Sequence, residues 1–226
     1  MNNVLVVGEV ESNALSKATL EAITGAHTIS KKWIGLILFS NEPFDEKVLF
    51  GRGADSVFVT PPGLQEDQKV NLIAKTAIES NSSCLVAPKD FCGGLINQVA
   101  HALGTALAHD CSSLSLSDDG YLITVRPVYG GSAIAEIKCL SEPSVVSLRI
   151  GSYEQFTGNS GSIPKYVHLA ENELSKTNKI HVLEHHNPPA TGVKLEDARV
   201  VVSGGRGLGG PESFAHLENL AAIFNG

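Results

Sequence analysis

Short apolar runs alternate with amphipathic stretches along the first half of the chain. Residues 4–10 (VLVVGEV) are apolar and rich in β-branched side chains, a pattern typical of a strand covered on both faces in a parallel sheet. Apolar residues then recur at helical spacing over 14–23, where Ser12 or Asn13 is placed to cap the first turn. The chain is therefore predicted to open with a strand followed directly by a helix.

This strand-and-helix unit repeats. Strands are predicted at 34–39, 56–60 and 84–87, and amphipathic helices at 70–78 and 99–107. Strands that alternate with helices of this length imply right-handed crossovers. The predicted fold class is α/β, with a mostly parallel, doubly wound sheet of the nucleotide-binding, Rossmann-like type.

The pattern changes after residue 110. Extended runs at 122–129 and 133–140 are joined through two glycines, and 144–150 adds a third run. These three runs predict an attached antiparallel section. Pro127 cannot donate a hydrogen bond to a strand partner and is therefore expected at the edge of that section.

Three polar or aromatic side chains, Arg126, Tyr129 and Arg149, fall within this antiparallel section. Their surroundings are β-branched, so they either form an ordinary outward strand face or contact a partner chain. The sequence leaves both interpretations open.

A new strand is predicted at 198–203 (ARVVVS), followed by a glycine-rich turn at 204–210 and a helix at 211–224 with proline near its first position. One strand and one helix cannot bury their own faces. These residues are therefore expected to be the first β-loop-α unit of a second, incomplete α/β domain at 198–226. The preceding residues 1–184 are assigned to the first domain and 185–197 to a linker.

Composition and charge narrow the possible functions. The chain has 226 residues, of which 42% are hydrophobic and 18% charged, and its net charge is -7. The sequence has no basic stripe of the kind that binds nucleic acid. Its apolar runs are all much shorter than the roughly 20 residues of a membrane span. The first apolar run is not preceded by the cationic segment of a secretory signal. A soluble acidic protein is expected. No C-x-x-C pair occurs, so buried, reduced thiols are predicted for Cys84, Cys92, Cys111 and Cys139.

The most specific chemical motif is Gly205-Arg206-Gly207-Leu208-Gly209-Gly210, which fits G-x-G-x-x-G between a predicted strand and helix. Glycines let backbone N–H groups approach a pyrophosphate, and Arg206 can add a cationic fork. The alternative is a plain turn, because the acidic residue expected about 20 positions later falls at or past residue 226.

The turn after the first strand is a weaker candidate. Gly8 lets a nucleotide approach the sheet, but Glu9 and Glu11 would repel a phosphate and no G-x-x-x-x-G-K-S/T loop occurs. A nucleotide-type fold without a nucleotide is favoured there.

Hydrolytic and metal chemistry have little support. His181, His185 and His186 form an H-x-x-x-H-H cluster beside two prolines, which favours solvated histidines over a metal site. Ser160 lies in a loop-like segment without a nucleophile elbow, and H-E-x-x-H is absent. No side chain is predicted to be a catalyst or a metal ligand.

Two strings carry a resemblance to a known family. VVVSGGRGLGGPESF (200–214) and TVRPVYGGSAIAEIK (124–138) resemble the alpha subunit of electron transfer flavoproteins. VLVVGE at the start and SVFVTPP (56–62) look like the same family's N-terminal domain, so the resemblance covers nearly the whole chain.

The resemblance implies a heterodimer with a beta subunit that takes electrons from flavin dehydrogenases, as in fatty acid β-oxidation, and passes them through FAD to a membrane quinone reductase. It implies that the N-terminal domain holds no cofactor. It also implies that Arg206 contacts FAD in the C-terminal domain, with Ser203, Gly204, Gly205 and Gly207 shaping the turn. The implied compartment is the mitochondrial matrix in a eukaryote or the cytoplasm in a bacterium.

One departure from the family keeps other functions open. The family's later cofactor loops do not occur in this sequence, so stable FAD binding by this chain alone is not expected. One alternative is a cofactor-free docking module, or a fragment, that only binds the beta subunit. A nucleotide-binding enzyme of the ATP α-hydrolase type is another.

Overall fold

The computed structural model describes residues 1, 3–11, 13–158, 163–169, 183–184 and 198–224, the side chains of 92 and 93 excepted. The chain divides into two compact units, Met1–His181 and Val182–Gly226. The predicted linker at 185–197 lies outside the described residues.

The described residues form eleven strands and four α-helices. The strands are β1 Asn3–Glu11, β2 Ala14–Leu15, β3 Trp33–Phe39, β4 Ser56–Val59, β5 Cys84–Pro88, β6 Leu107–Cys111, β7 Ser113–Leu116, β8 Leu122–Val128, β9 Ala133–Cys139, β10 Ser144–Leu148 and β11 Lys165–His168. The helices are α1 Lys17–Ile29, α2 Glu66–Glu79, α3 Ile96–Ala102 and α4 Phe214–Phe224.

The first unit is built on an eight-stranded sheet. Its strand order is β11-β4-β3-β1-β5-β10-β6, and every pair along this path is parallel. The remaining strand, β2, folds back antiparallel onto β1. The predicted α/β class with a mostly parallel sheet is confirmed.

Side-chain alternation along β1 explains the two layers of core. Val4 and Val6 point to a core shared with α1, whereas Leu5 and Val7 point to a core shared with α2 and α3. All four side chains are completely buried. Each such burial contributes about 1.5–3 kcal/mol, so the apolar run at 4–7 forms the centre of a doubly wound sheet.

The antiparallel section is a separate three-stranded sheet of order β7-β8-β9. Pairing of the 122–129 and 133–140 runs is confirmed, since Arg126 lies opposite Ala135. Pro127 lies in the central strand, beyond the last residue paired with β7, Val125. The prediction of an edge strand was therefore wrong, although the proline ring occupies a stretch that β7 does not reach.

The run at 144–150 was misassigned to the antiparallel section. Residues 144–148 form β10, which is parallel to both β5 and β6 and lies between them. Every residue of β10 is buried. Burial on both faces requires a central position in a covered sheet, which explains why this run leaves the hairpin.

The helix predicted over 99–107 was too long. Helix α3 ends at Ala102, and Leu107 already belongs to β6. Gly104 has a φ of 66°, a left-handed conformation that stops the helix.

The second unit contains the glycine-rich turn and α4. Pro211–Ser213 forms a 3-10 turn with proline at its start, and α4 follows directly, so the predicted helix is confirmed. The strand predicted at 198–203 is wrong, because the described residues of this stretch have no regular structure. A strand needs a neighbour to satisfy its backbone, and the described residues of this unit provide none.

The described thiols are unpaired. Cys84 and Cys111 are buried and free, as predicted, while Cys139 is free but only half-buried. Burial raises the pKa of the Cys84 thiol well above its usual range. The side chain of Cys92 lies outside the described residues.

Candidate functional site

Two regions carry candidate chemistry. One is the glycine-rich turn of the Val182–Gly226 unit, and the other is a charged groove in the Met1–His181 unit.

The glycine-rich turn is built around a short 3-10 helix at Arg206–Leu208. Leu208 N donates to Gly205 O at 3.1 Å, and Gly209 N donates to Arg206 O at 3.1 Å. Gly209 has a φ of 83°, which few residues other than glycine adopt. The turn therefore has a defined shape that presents Arg206 at its beginning.

The glycines of the turn have different structural roles. An added Cβ at Gly204 would collide with Leu208, so this glycine permits close packing. At Gly205 and Gly207 an added Cβ would meet no atom within 4 Å. Those two positions leave the backbone open to approach by a bound group. Ser203 precedes them on the exposed side of the chain.

Arg206 supplies the positive charge of the turn. Its side chain is exposed and forms no hydrogen bond or ion pair within the described part of the chain. Together with Gly205, Leu208 and Phe214 it lines an open cavity of about 890 Å³. An unpaired guanidinium beside open backbone is suited to an anionic group.

The start of the following helical segment is less suited to a phosphate. Pro211 has no N–H, and the Glu212 carboxylate lies against Gly210, where an added Cβ would collide with it. Negative charge at that point repels a phosphate. Arg206 and the open backbone around Gly205 and Gly207 are therefore better suited to an anion than the residues just before α4.

The turn after β1 is filled by the chain itself. An added Cβ at Gly8 would collide with the buried side chain of Thr19, whose Oγ1 accepts a hydrogen bond from Glu9 N at 2.9 Å. The chain then continues through the β1–β2 hairpin. Residues of the protein thus pack where a nucleotide phosphate lies in other doubly wound folds.

The cap of α1 was predicted wrongly. Helix α1 begins at Lys17, and Ser16 caps it by accepting from Thr19 N at 3.2 Å. Asn13 instead accepts from Asp45 N at 2.7 Å, while Ser12 lies outside the described residues. The helix begins late because the residues before it form β2.

The charged groove is organised around Asp110, which lies in an irregular part of β6. Val146 pairs with Ala108 and Leu148 with Cys111, so two residues of β6 lie opposite Ser147 alone. Asp110 has a φ of 59°, and its N–H donates to Ser147 Oγ at 3.0 Å. A bulge of this kind redirects a side chain, and here it turns Asp110 toward the carboxyl ends of the neighbouring strands.

Two cations bind Asp110. Arg149 makes a bidentate contact, Nε to Oδ1 at 3.1 Å and Nη2 to Oδ2 at 2.7 Å, and Lys89 Nζ lies 3.2 Å from Oδ1. The Arg149 hydrogen bond, aided by Lys89, lowers the pKa of Asp110 to about 2 against the opposing effect of burial. Asp110 is therefore ionised at all physiological pH values.

Arg126 and Tyr129 complete the groove, which has a volume of about 440 Å³. The sequence grouped Arg126, Tyr129 and Arg149 on one antiparallel section. The structure brings all three to this groove, but Arg149 reaches it from the end of β10 in the parallel sheet. Sequence reasoning missed Asp110, because it lies 39 residues from Arg149 and no local motif marks the bulge.

The histidine cluster at 181, 185 and 186 and Ser160 lie outside the described residues. Among the residues that are described, no group of three His, Cys, Asp or Glu side chains is arranged to hold a metal ion. None of the described helices is long and apolar enough to cross a membrane.

Comparison with known proteins identifies the family of this chain. The model of the electron transfer flavoprotein domain matches residues 4–185. The chain belongs to the electron transfer flavoprotein family.

Individual relatives extend the similarity to nearly the whole chain. It is 26% identical to the electron transfer flavoprotein subunit alpha of Thermoanaerobacterium thermosaccharolyticum over 99% of this chain and 71% of that protein. It is 30% identical to protein FixB of Clostridium saccharobutylicum over 99% of this chain and 70% of that protein. A mitochondrial alpha subunit of Dictyostelium discoideum is 25% identical over 98% of this chain and 66% of that protein. The resemblance to the alpha subunit is thereby confirmed.

Proposed function

We propose that this chain acts as the alpha subunit of a heterodimeric electron transfer flavoprotein, carrying electrons from flavin dehydrogenases to a quinone reductase. Membership of the family supports the electron-transfer role. The cofactor contact is proposed at Arg206 because its guanidinium is unpaired among the described residues and lies beside the open backbone of Gly205 and Gly207.

In this proposal FAD, when bound, supplies the redox chemistry, and the protein supplies binding and orientation. Arg206 holds the cofactor by a charge-assisted contact. Gly205 and Gly207 let it approach the backbone, while Ser203 and Gly204 fix the turn from the preceding side. No side chain of this chain acts as a catalyst.

The proposed function also assigns a role to each part of the chain. Residues 1–184 form the N-terminal domain, 185–197 a linker, and 198–226 belong to the FAD-binding domain. The compartment is the bacterial cytoplasm or, in a eukaryote, the mitochondrial matrix, since alpha subunits with both kinds of source are among the relatives.

A second function is favoured by one observation. The Gly8 turn is filled by Thr19 and the β1–β2 hairpin, which suits a domain that docks on a partner without holding a nucleotide. A cofactor-free docking module for the beta subunit is therefore the alternative.

The test is FAD titration of the chain assembled with its beta subunit, followed by flavin fluorescence. Replacement of Arg206 by glutamine is expected to weaken FAD binding about tenfold to a hundredfold, since a hydrogen bond to a charged group contributes about 1.5–3 kcal/mol. Arg199→Gln removes an exposed arginine outside the turn and serves as the control.

The outcomes separate the two functions. Saturable FAD binding that Arg206→Gln weakens and Arg199→Gln leaves intact supports the electron-transfer subunit. A stable complex without a flavin spectrum supports the docking module. A chain that does not assemble with the beta subunit contradicts both.

A further inference from the structure

The charged groove of the first unit has more cationic side chains than carboxylates to pair with them. Arg126, Arg149 and one carboxylate, Asp110, line the groove, and Lys89 also contacts Asp110. The whole chain carries a net charge of -7, so this excess of positive charge is local. Asp110 forms ion pairs with Arg149 and Lys89, and Arg126 has no carboxylate partner among the described residues.

Arg126 is the unsatisfied member of the groove. Its Nε is buried and has no hydrogen-bond partner, and no carboxylate pairs with it in the described ranges. A buried donor without a partner is costly, and more so when the group is charged. The side chain lies at the end of β8, beyond the reach of β7, where it lines the open groove. Its missing partner is therefore an anion from outside the described chain.

Tyr129 stands beside this arginine in a strained and exposed position. Its φ is 53°, a left-handed conformation in which residues other than glycine, asparagine and aspartate are rare. Its side chain is 86% exposed, so burial within this unit does not stabilise it. Ile134, opposite Pro127 on the neighbouring strand, is 74% exposed. An exposed tyrosine and isoleucine next to an arginine have the composition of an interface centre.

We propose that this groove receives a glutamate or aspartate side chain of the beta subunit, which pairs with Arg126 while Tyr129 and Ile134 pack against the same segment. The inference rests on the proposed heterodimer. It assigns a particular contact point to that assembly.

The composition of the groove favours a protein carboxylate over a small multivalent anion. Asp110 lines the same groove and would repel a doubly charged phosphate more strongly than a singly charged carboxylate. Its own two cations are already engaged, which leaves one guanidinium for the incoming group. A free anion would also leave the apolar side chains of Tyr129 and Ile134 in water, whereas a polypeptide segment covers them.

The experiment measures the dissociation constant of the wild-type and variant chains for the beta subunit, together with the thermal unfolding midpoint of each chain alone. Arg126→Gln is expected to weaken binding about thirtyfold, the effect of losing a central interface arginine. Arg52→Gln, which removes an exposed arginine outside the groove, is the matched control and is expected to leave the constant unchanged. Raising the salt concentration should weaken wild-type binding more than that of Arg126→Gln.

Tyr129→Asn tests the same site without a stability penalty. Asparagine tolerates the left-handed backbone, and little buried area is lost. Binding is expected to weaken at least tenfold while the unfolding midpoint stays the same or rises. A residue with a merely structural role would show the reverse, a lower midpoint with unchanged binding.

The outcomes distinguish the proposals. If the wild-type chain binds the beta subunit and both groove variants bind equally well, the groove contact is wrong and the heterodimer stands. If the wild-type chain does not bind the beta subunit, both proposals fail. If inorganic phosphate at millimolar concentration competes with the beta subunit in the wild type and in Arg126→Gln alike, the anion does not pair with Arg126 and the inference is overturned.

Discussion

Replacement of Asp110 by asparagine tests the electrostatic account of the groove most directly. Asparagine keeps the shape of the side chain and tolerates the left-handed backbone at this position, so the substitution removes the charge with little strain. The Asp110 side chain is only 11% exposed, which limits screening by solvent. The ion pairs with Arg149 and Lys89 are thus expected to contribute measurably to stability.

The magnitude follows from the pKa. Arg149 and Lys89 lower the pKa of Asp110 from an ordinary value near 3.8 to about 2. That difference corresponds to about 2 kcal/mol of stability at neutral pH. The folded-state pKa is the lower one, so this contribution is present above about pH 4 and is lost as the pH falls toward 2. At pH 3 roughly half of it remains.

The assay is urea unfolding followed by the fluorescence of Trp33, the one tryptophan of the sequence, which lies in the same unit as Asp110. We expect Asp110→Asn to be less stable than the wild type by about 2 kcal/mol at pH 7 and by about half as much at pH 3. Asp90→Asn, at an exposed carboxylate, is the control. An equal loss at both pH values, or no loss at pH 7, would refute the assigned ion pairs.

Two further predictions concern the core of the first unit. Gly8→Ala should lower the free energy of unfolding by about 1–3 kcal/mol, because the added Cβ collides with buried Thr19. Gly207→Ala should not lower it, because the space around Gly207 is open. Urea unfolding of each variant measures the difference, and equal effects would contradict the described packing of Gly8 against Thr19. Cys84 should resist alkylation in the native protein and react in urea, because its thiol is buried and burial raises the pKa of that thiol. Mass spectrometry of the labelled peptide measures the reaction, and labelling of Cys84 before unfolding would contradict the prediction.

The sequence was sufficient for the layers of the first unit because its signals there are local. The unbroken apolar run of β1 and the helical spacing after it depend on residues next to each other in the chain. The position of β10 depends instead on which strands lie beside it. Its buried run resembles that of β1, but its place after a hairpin suggested continued antiparallel pairing. Only the assembled sheet shows that the chain crosses back between β5 and β6.

The candidate sites divide in the same way. The glycine-rich turn was predictable, because Gly205 to Gly210 form a contiguous motif and Pro211 marks the start of the 3-10 turn that leads into α4. The groove was not, because Lys89, Asp110 and Arg149 come from three different strand ends. A bulge in β6 directs Asp110 to the other two, and neither composition nor spacing marks that bulge.

In a doubly wound sheet the carboxyl ends of the strands are the usual place for a ligand, at the point where the strand order reverses. Here the order reverses between β1 and β5, and Thr19 and the β1–β2 hairpin pack at the end of β1. The charged residues lie further along the same edge, at the ends of β5, β10 and β6, where Asp110 fixes two cations and leaves Arg126 unpaired. The edge that binds a nucleotide in related folds thus carries side chains suited to an acidic protein segment. This arrangement is consistent with a nucleotide-type fold whose proposed role is to dock a partner, whereas the proposed cofactor contact lies in the glycine-rich turn of the second unit.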